Sequence, residues 1–159
     1  YRDYGACGTH EYRVMAVDDS GNYAVSKIVK ATVLPEAAVI GIIGKAVDWV
    51  HLLKRRGNAP EIQTQKSEDI SYQFYSGRTL PVAYSSKFIT REKQLSYTVY
   101  KAEADRLEAM IGRIVIYKDY AGNKIFGVLN DLQLSGKATR PDVTMTITEI
   151  DYSEEITYA

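Results

Sequence analysis

The sequence predicts a mainly β protein of the α+β kind, with one helix packed across a sheet, and three observations in the stretch 94–152 carry that expectation. Leu95, Tyr97 and Val99 alternate with Ser96, Thr98 and Tyr100, and a period of two places the first set on one face of a strand. The period then changes. Ala104, Leu107 and Ile111 fall at i, i+3 and i+7, so a helix over 102–112 offers one apolar stripe to that sheet while Glu103, Asp105 and Glu108 stay in water. Gly112 is suited to cap it. Third, the β-rich runs 113–120 and 124–134 flank Ala121-Gly122-Asn123, where Gly and Asn supply the positive φ angles of a tight hairpin. Val143, Met145 and Ile147 alternate with threonines as a closing strand.

Taken in order, the chain opens on a hairpin. Tyr12, Val14 and Ala16 alternate with Arg13, Met15 and Val17, Asp18-Asp19-Ser20-Gly21-Asn22 makes a turn, and 23–33 resumes a β-rich run. This pattern resembles the last two strands of a fibronectin type III or related immunoglobulin-like domain, a fold of about seven strands and about 100 residues. Residues 1–35 then read as the C-terminal remnant of such a domain, because an isolated two-stranded hairpin is marginal in water. The alternative is that both strands extend the main sheet. Pro35-Glu36-Ala37 begins a linker, 36–48, in which Val39, Ile40, Ile42 and Ile43 fit a buried strand or a short helix running toward Leu53. Trp49 and Leu52 read as core.

Lys54-Arg55-Arg56-Gly57-Asn58 reads as a solvated loop, without the glycine spacing of a phosphate cradle. Between 61 and 75 the expectation is two strands with a turn near Lys66-Ser67-Glu68-Asp69. Ser76-Gly77-Arg78-Thr79 follows as a turn, 80–84 as a short edge strand, and 85–93 as a loop.

Twenty basic and twenty acidic residues give a net charge of zero, which supplies no field for nucleic acid or an anionic membrane. The run 37–43 is too short to span a bilayer. No catalytic, cofactor-binding or metal-binding residue emerges from the pattern, and no cofactor and no enzyme activity are expected. His51 reads as a packed strand residue and His10 as exposed. Cys7, the single cysteine, has no C-x-x-C setting. The pairs Asp18-Asp19, Glu68-Asp69 and Glu154-Glu155 read as solvated charge. The two D-x-x-G-N loops hold oxygen ligands but lack the acid spacing of a calcium loop, and Asp, Gly and Asn are what such turns need anyway. Thirteen tyrosines against three phenylalanines suit surfaces covered on assembly, and equally suit half-exposed strands.

From Trp49 to Asp151 the chain resembles the C-terminal domain of minor tail proteins of long-tailed bacteriophages, and more loosely the ring-forming domain of distal tail proteins. The residues that carry the resemblance are Trp49-Val50-His51-Leu52, Gly77-Arg78 with Leu80-Pro81-Val82, the helix 102–112, the Asp119-Tyr120-Ala121-Gly122-Asn123 hairpin with Ile125-Phe126-Gly127, and Glu149-Ile150-Asp151-Tyr152. The resemblance implies a β-sandwich or split-barrel-like tail domain over 49–152, followed by a tail, 153–159. It further implies a virion structural protein of the distal tail or tail tip, in a homo-oligomeric ring of three or six copies. Its partners would be other tail proteins (tube, distal tail, hub or tape measure), without nucleic-acid or membrane binding of its own. The rival expectation is a carbohydrate-binding or adhesion module of a surface or cell-wall-acting protein, which a concave face of exposed Trp and Tyr would favour.

Overall fold

The computed structural model describes residues 6–43, 48–55, 61–137 and 139–152, and the fold is mainly β with one helix. Strands β1 (Gly8–Tyr12), β2 (Met15–Val17), β3 (Tyr23–Val25) and β4 (Val29–Val33) form the N-terminal hairpin. Strands β5 (Ala38–Ile42), β6 (Val50–Leu52), β7 (Ile62–Gln73), β8 (Val82–Thr98), β9 (Ile114–Lys118), β10 (Lys124–Lys137) and β11 (Arg140–Glu149) form one antiparallel sheet, with helix α1 (Lys101–Glu108) between β8 and β9. The sheet order is β6-β5-β9-β10-β11-β8-β7.

The sheet closes on itself. Leu53, one residue past β6, bridges to Thr98 at the end of β8, and each donates its backbone N–H to the other's carbonyl at 2.8 Å. Six strands thereby make a barrel, and closure removes the edges that β6 and the end of β8 would otherwise expose. Inward positions alternate as the period of two requires. Ala38 and Ile40, Val50 and Leu52, Leu95, Tyr97 and Val99, Val115 and Tyr117, and Val143, Met145 and Ile147 are all buried in one cluster. Helix α1 plugs the barrel with Ala104 and Leu107. Gly127 marks a place where strands run close, because a Cβ there would collide with the Thr148 carbonyl oxygen and the Ile147 side chain.

Several expectations are corrected. The helix ends at Glu108 rather than at Gly112; a turn then carries Met110, not Ile111, into the core, and Ile111 is 46% exposed. Gly112 has a φ of 73° and donates its N–H to the Leu129 carbonyl, so it ends this turn rather than the helix itself. Glu103 is half-buried, and one of its carboxylate oxygens accepts the His51 N–H at 3.2 Å. The segment read as a linker supplies β5 to the barrel wall, which settles strand over helix for 38–42. Where two strands and a turn were expected, β7 is one strand with an irregularity between Glu68 and Ile70, and the expected loop 85–93 is part of the seventeen-residue β8. The hairpin β1–β4 stands outside the seven-stranded sheet rather than extending it. Arg56-Gly57-Asn58, residues 44–47 and the tail 153–159 lie outside the described residues.

The two D-x-x-G-N loops adopt one geometry. In each, the first Asp takes the backbone N–H groups of the third and fifth residues on Oδ1, at 2.8–2.9 Å, and the Asn side chain on Oδ2. Gly21 and Gly122 have φ values of 83° and 86°, open only to glycine at low cost. Both carboxylates therefore close their own turns. Hydrogen bonds from Asn22 hold the Asp18 carboxyl below its ordinary range.

Inside the barrel, the Tyr97 and Tyr117 hydroxyls meet at 2.5 Å, and Tyr117 donates to Asp119 at 3.3 Å. Burial first pushes the Tyr97 phenol up to about 12, and burial followed by the bond to Tyr97 raises Tyr117 as well. A phenol whose folded-state pKa exceeds its unfolded value of about 10 contributes fully below that pH and loses its contribution as pH rises through the folded value. The unfolding free energy should therefore fall between about pH 10 and 12, and Tyr97→Phe should flatten part of that slope in denaturant titrations. Leu107→Ala should cost about 2–5 kcal/mol in urea unfolding, whereas Ile111→Ala should stay within about 0.5 kcal/mol. Equal losses at the two positions would contradict a helix that ends at Glu108 and leaves Ile111 in solvent.

Candidate assembly surface

Strands β7 and β8 outrun the barrel. Pairing of β8 with β11 stops at Glu92, while β7 and β8 continue together to Gln73 and Val82. All residues of 63–80 and 83–91 are exposed, so the outer part of this hairpin is an arm with solvent on both faces. The absence of Gly and Pro from 62 to 76 lets the strand run on through its polar stretch. The arm is braced internally. Tyr75 donates to Gln73 Oε1 at 2.7 Å and meets the Tyr84 hydroxyl at 3.2 Å, Arg78 lies 6.0 Å from the Tyr75 ring centroid, and Ser85 bonds Glu68. Lys87 takes a φ of 62° at the irregularity, which re-aims the strand there.

At the start of β7, Glu61 accepts the Tyr120 hydroxyl at 2.7 Å and pairs with Lys54 at 3.1 Å. That bond raises the Tyr120 phenol, and the carboxylate raises the Lys54 ammonium. Arg55 reaches Asp142 at 3.4 Å across the same end of the barrel. The Lys54–Glu61 pair and the Tyr120 bond tie the start of β7 to the barrel, and such ion pairs at the surface add little stability.

Besides the N-terminal ladders and the side of β8 that β11 leaves bare over 82–91, two long backbone edges stay open among the described residues. One is the whole outer side of β7, whose single partner is β8. The other is β10 from 130 to 137: β9 covers only Lys124 to Val128, and Leu129 still donates to Arg113 at 3.2 Å. Apolar side chains accompany both edges. Ile70, Tyr72, Phe74, Leu80, Phe88 and Ile89 are exposed on the arm, as are Leu134, Ile111 and Ile114 near β10. An unpaired, largely unblunted strand of this length is where another chain adds most readily.

The residues weighed for chemistry are scattered. Cys7 is buried, and its thiol donates to the Asp119 and Asn123 carbonyls, tying the N-terminal hairpin to the barrel. His10 is half-buried rather than exposed, with Nε2 at 2.8 Å from the Cys7 carbonyl. His51 is an exposed strand residue on β6, not a core one. Trp49 is half-buried against Gly41, with the Lys118 ammonium 4.7 Å from its ring centroid. Among the described residues, no group of three or more His, Cys, Asp or Glu converges as a metal site would require, and no helix is long and apolar enough to cross a membrane. The tyrosines divide between the core (Tyr97 and Tyr117) and exposed positions such as Tyr72 and Tyr84 on the arm.

Sequence reasoning missed the arm because Ile62 and the polar run after it suggested a turn. The alternation of Ile70, Tyr72 and Phe74 with Ser71 and Gln73 was the available signal. No protein-family model matches the chain, and no curated protein is significantly similar to it.

If the arm is a projection and not part of the core, Phe74→Ser and Phe88→Ser should each leave the unfolding midpoint within about 0.5 kcal/mol of wild type. Gly127→Ala, by contrast, should destabilise by about 1–3 kcal/mol or more through overpacking of the barrel wall.

Proposed function

We propose that this chain is a structural subunit of a bacteriophage tail, at the distal tail or tail tip, and that it works in a ring of three or six copies around the tail axis. The observation that carries the reading is the arm, a two-stranded extension with an unpaired edge twelve residues long and exposed aromatic side chains. Such a surface is a liability in a monomer and a use in an assembly. The order of tail-protein-like motifs from Trp49 to Tyr152 supports the same reading. The neighbours are other tail proteins (tube, distal tail, hub or tape measure), the location is the virion, and the chain is not an enzyme. Its N-terminal hairpin, with Val14, Val17, Tyr23 and Val29 exposed, is read as the closing strands of an immunoglobulin-like domain.

Closed symmetry suits a subunit with unlike edges, because a head-to-tail contact makes a ring when its rotation closes. Negative-stain microscopy and light scattering of the purified protein at rising concentration should show closed rings of one copy number, with interfaces above about 1,000 Å². A monomer at all concentrations that binds a soluble glycan saturably would overturn the proposal.

A further inference from the structure

We infer that the arm of one copy pairs with the open half of β10 in the next, residues 67–74 against 130–137, with Ile70 opposite Leu134 and Tyr72 opposite Leu132. This inference rests on the ring reading above and adds the partner surface and its register. Direction comes first. Strands β10, β11, β8 and β7 are antiparallel in succession, so β7 of one copy meets β10 of the next in antiparallel sense, the sense that extends the sheet without a break.

Register follows from side-chain chemistry. Counting in twos along β7, Ile62, Ile70 and Tyr72 share a face, the one that Ile62 turns to the core beside Leu95. On β10, Leu132 and Leu134 lie opposite the buried Met145 and Val143, so they too face the core side. Aligning the apolar rows puts Ser71 opposite Gln133 and Gln73 opposite Asp131 on the other face. A slip of one residue would set Ile70 and Tyr72 against Gln133 and Asp131 instead. Next to Leu134, a groove of about 290 Å³ runs between α1 and β10, lined by Ala104, Glu108 and Gly136 among others; it lies where Ile70 of the neighbour would arrive. Phe74, 82% exposed, would then fall opposite Asn130, at the end of the open stretch near Ile111 and Ile114, 46% and 43% exposed.

Within one chain, Gln63, Gln94, Thr146 and Asp131 stand side by side, so the arm and the open half of β10 lie at opposite ends of the sheet. Each copy is therefore shifted along the strands relative to its neighbour, and the strands tilt against the ring axis. Pairing β7 with β7 about a two-fold axis would close at two copies and leave the β10 edge open in both.

Cysteine cross-linking tests this. Directly opposed strand positions suit a disulfide, and the buried Cys7 is common to all variants. Under mild oxidation at a concentration where the wild type is oligomeric, the double variant Ile70→Cys/Leu134→Cys should give a ladder of covalent oligomers ending at the ring size. A mixture of the two single variants should give covalent dimers only. Ile70→Cys alone forming covalent dimers would overturn the inference in favour of β7–β7 pairing. Oligomers by scattering without any ladder would overturn it while leaving the ring reading intact, and a wild type that is monomeric throughout would overturn both. Unchanged unfolding midpoints of the reduced variants establish that the fold itself is not at issue.

Discussion

The reciprocal hydrogen bonds between Leu53 and Thr98 turn six strands into a closed barrel, and the division of the molecule into a packed body and open edges depends on that closure. Backbone groups within the barrel need partners, since leaving a buried one unsatisfied costs on the order of 1–3 kcal/mol. Closure supplies them for β6 and for the end of β8. Two strands outlast a neighbour: β8 has no partner but β7 before Glu92, where β11 stops, and β10 loses β9 after Leu129. What lies beyond those changes of partner is the arm on one side and the bare half of β10 on the other.

The interior is not uniformly apolar. Its bulk is aliphatic, yet the Tyr97–Tyr117–Asp119 chain runs through it to the hairpin loop, and Cys7 reaches the same loop from the N-terminal hairpin. A polar chain of this kind, once satisfied, fixes one arrangement among several apolar packings of similar energy. Asp119 thus serves twice, closing its own turn with both carboxylate oxygens and receiving the Tyr117 hydroxyl.

Much of the barrel was legible in the sequence. The alternations at Leu95, Tyr97 and Val99 and at Val143, Met145 and Ile147 give their buried faces directly, because a strand covered on one side leaves an unambiguous period of two. The D-x-x-G-N turn is equally local, so its position and its glycine were both evident. Helix length was not, since Met110 and Ile111 are both apolar and only the turn after Glu108 decides which one enters the core. The arm was the least legible part. A strand exposed on both faces has no burial to impose a period, and Lys66, Ser67, Glu68 and Asp69 look like a turn unless the partner strand 85–93 is known to lie beside them. The candidate assembly surface was unreadable for the same reason, because an open edge is a property of pairing and leaves no residue signature of its own.

In the assembly proposed above, neighbouring copies cover the open edges of β7 and β10. Amide hydrogen exchange read at peptide resolution, in dilute protein and again at assembling concentration, addresses it most directly. Both samples should protect the barrel strands alike, and protection should appear on concentration in 62–73 and 130–137. Assembly with those two segments still exchanging as they do in the dilute protein would contradict it.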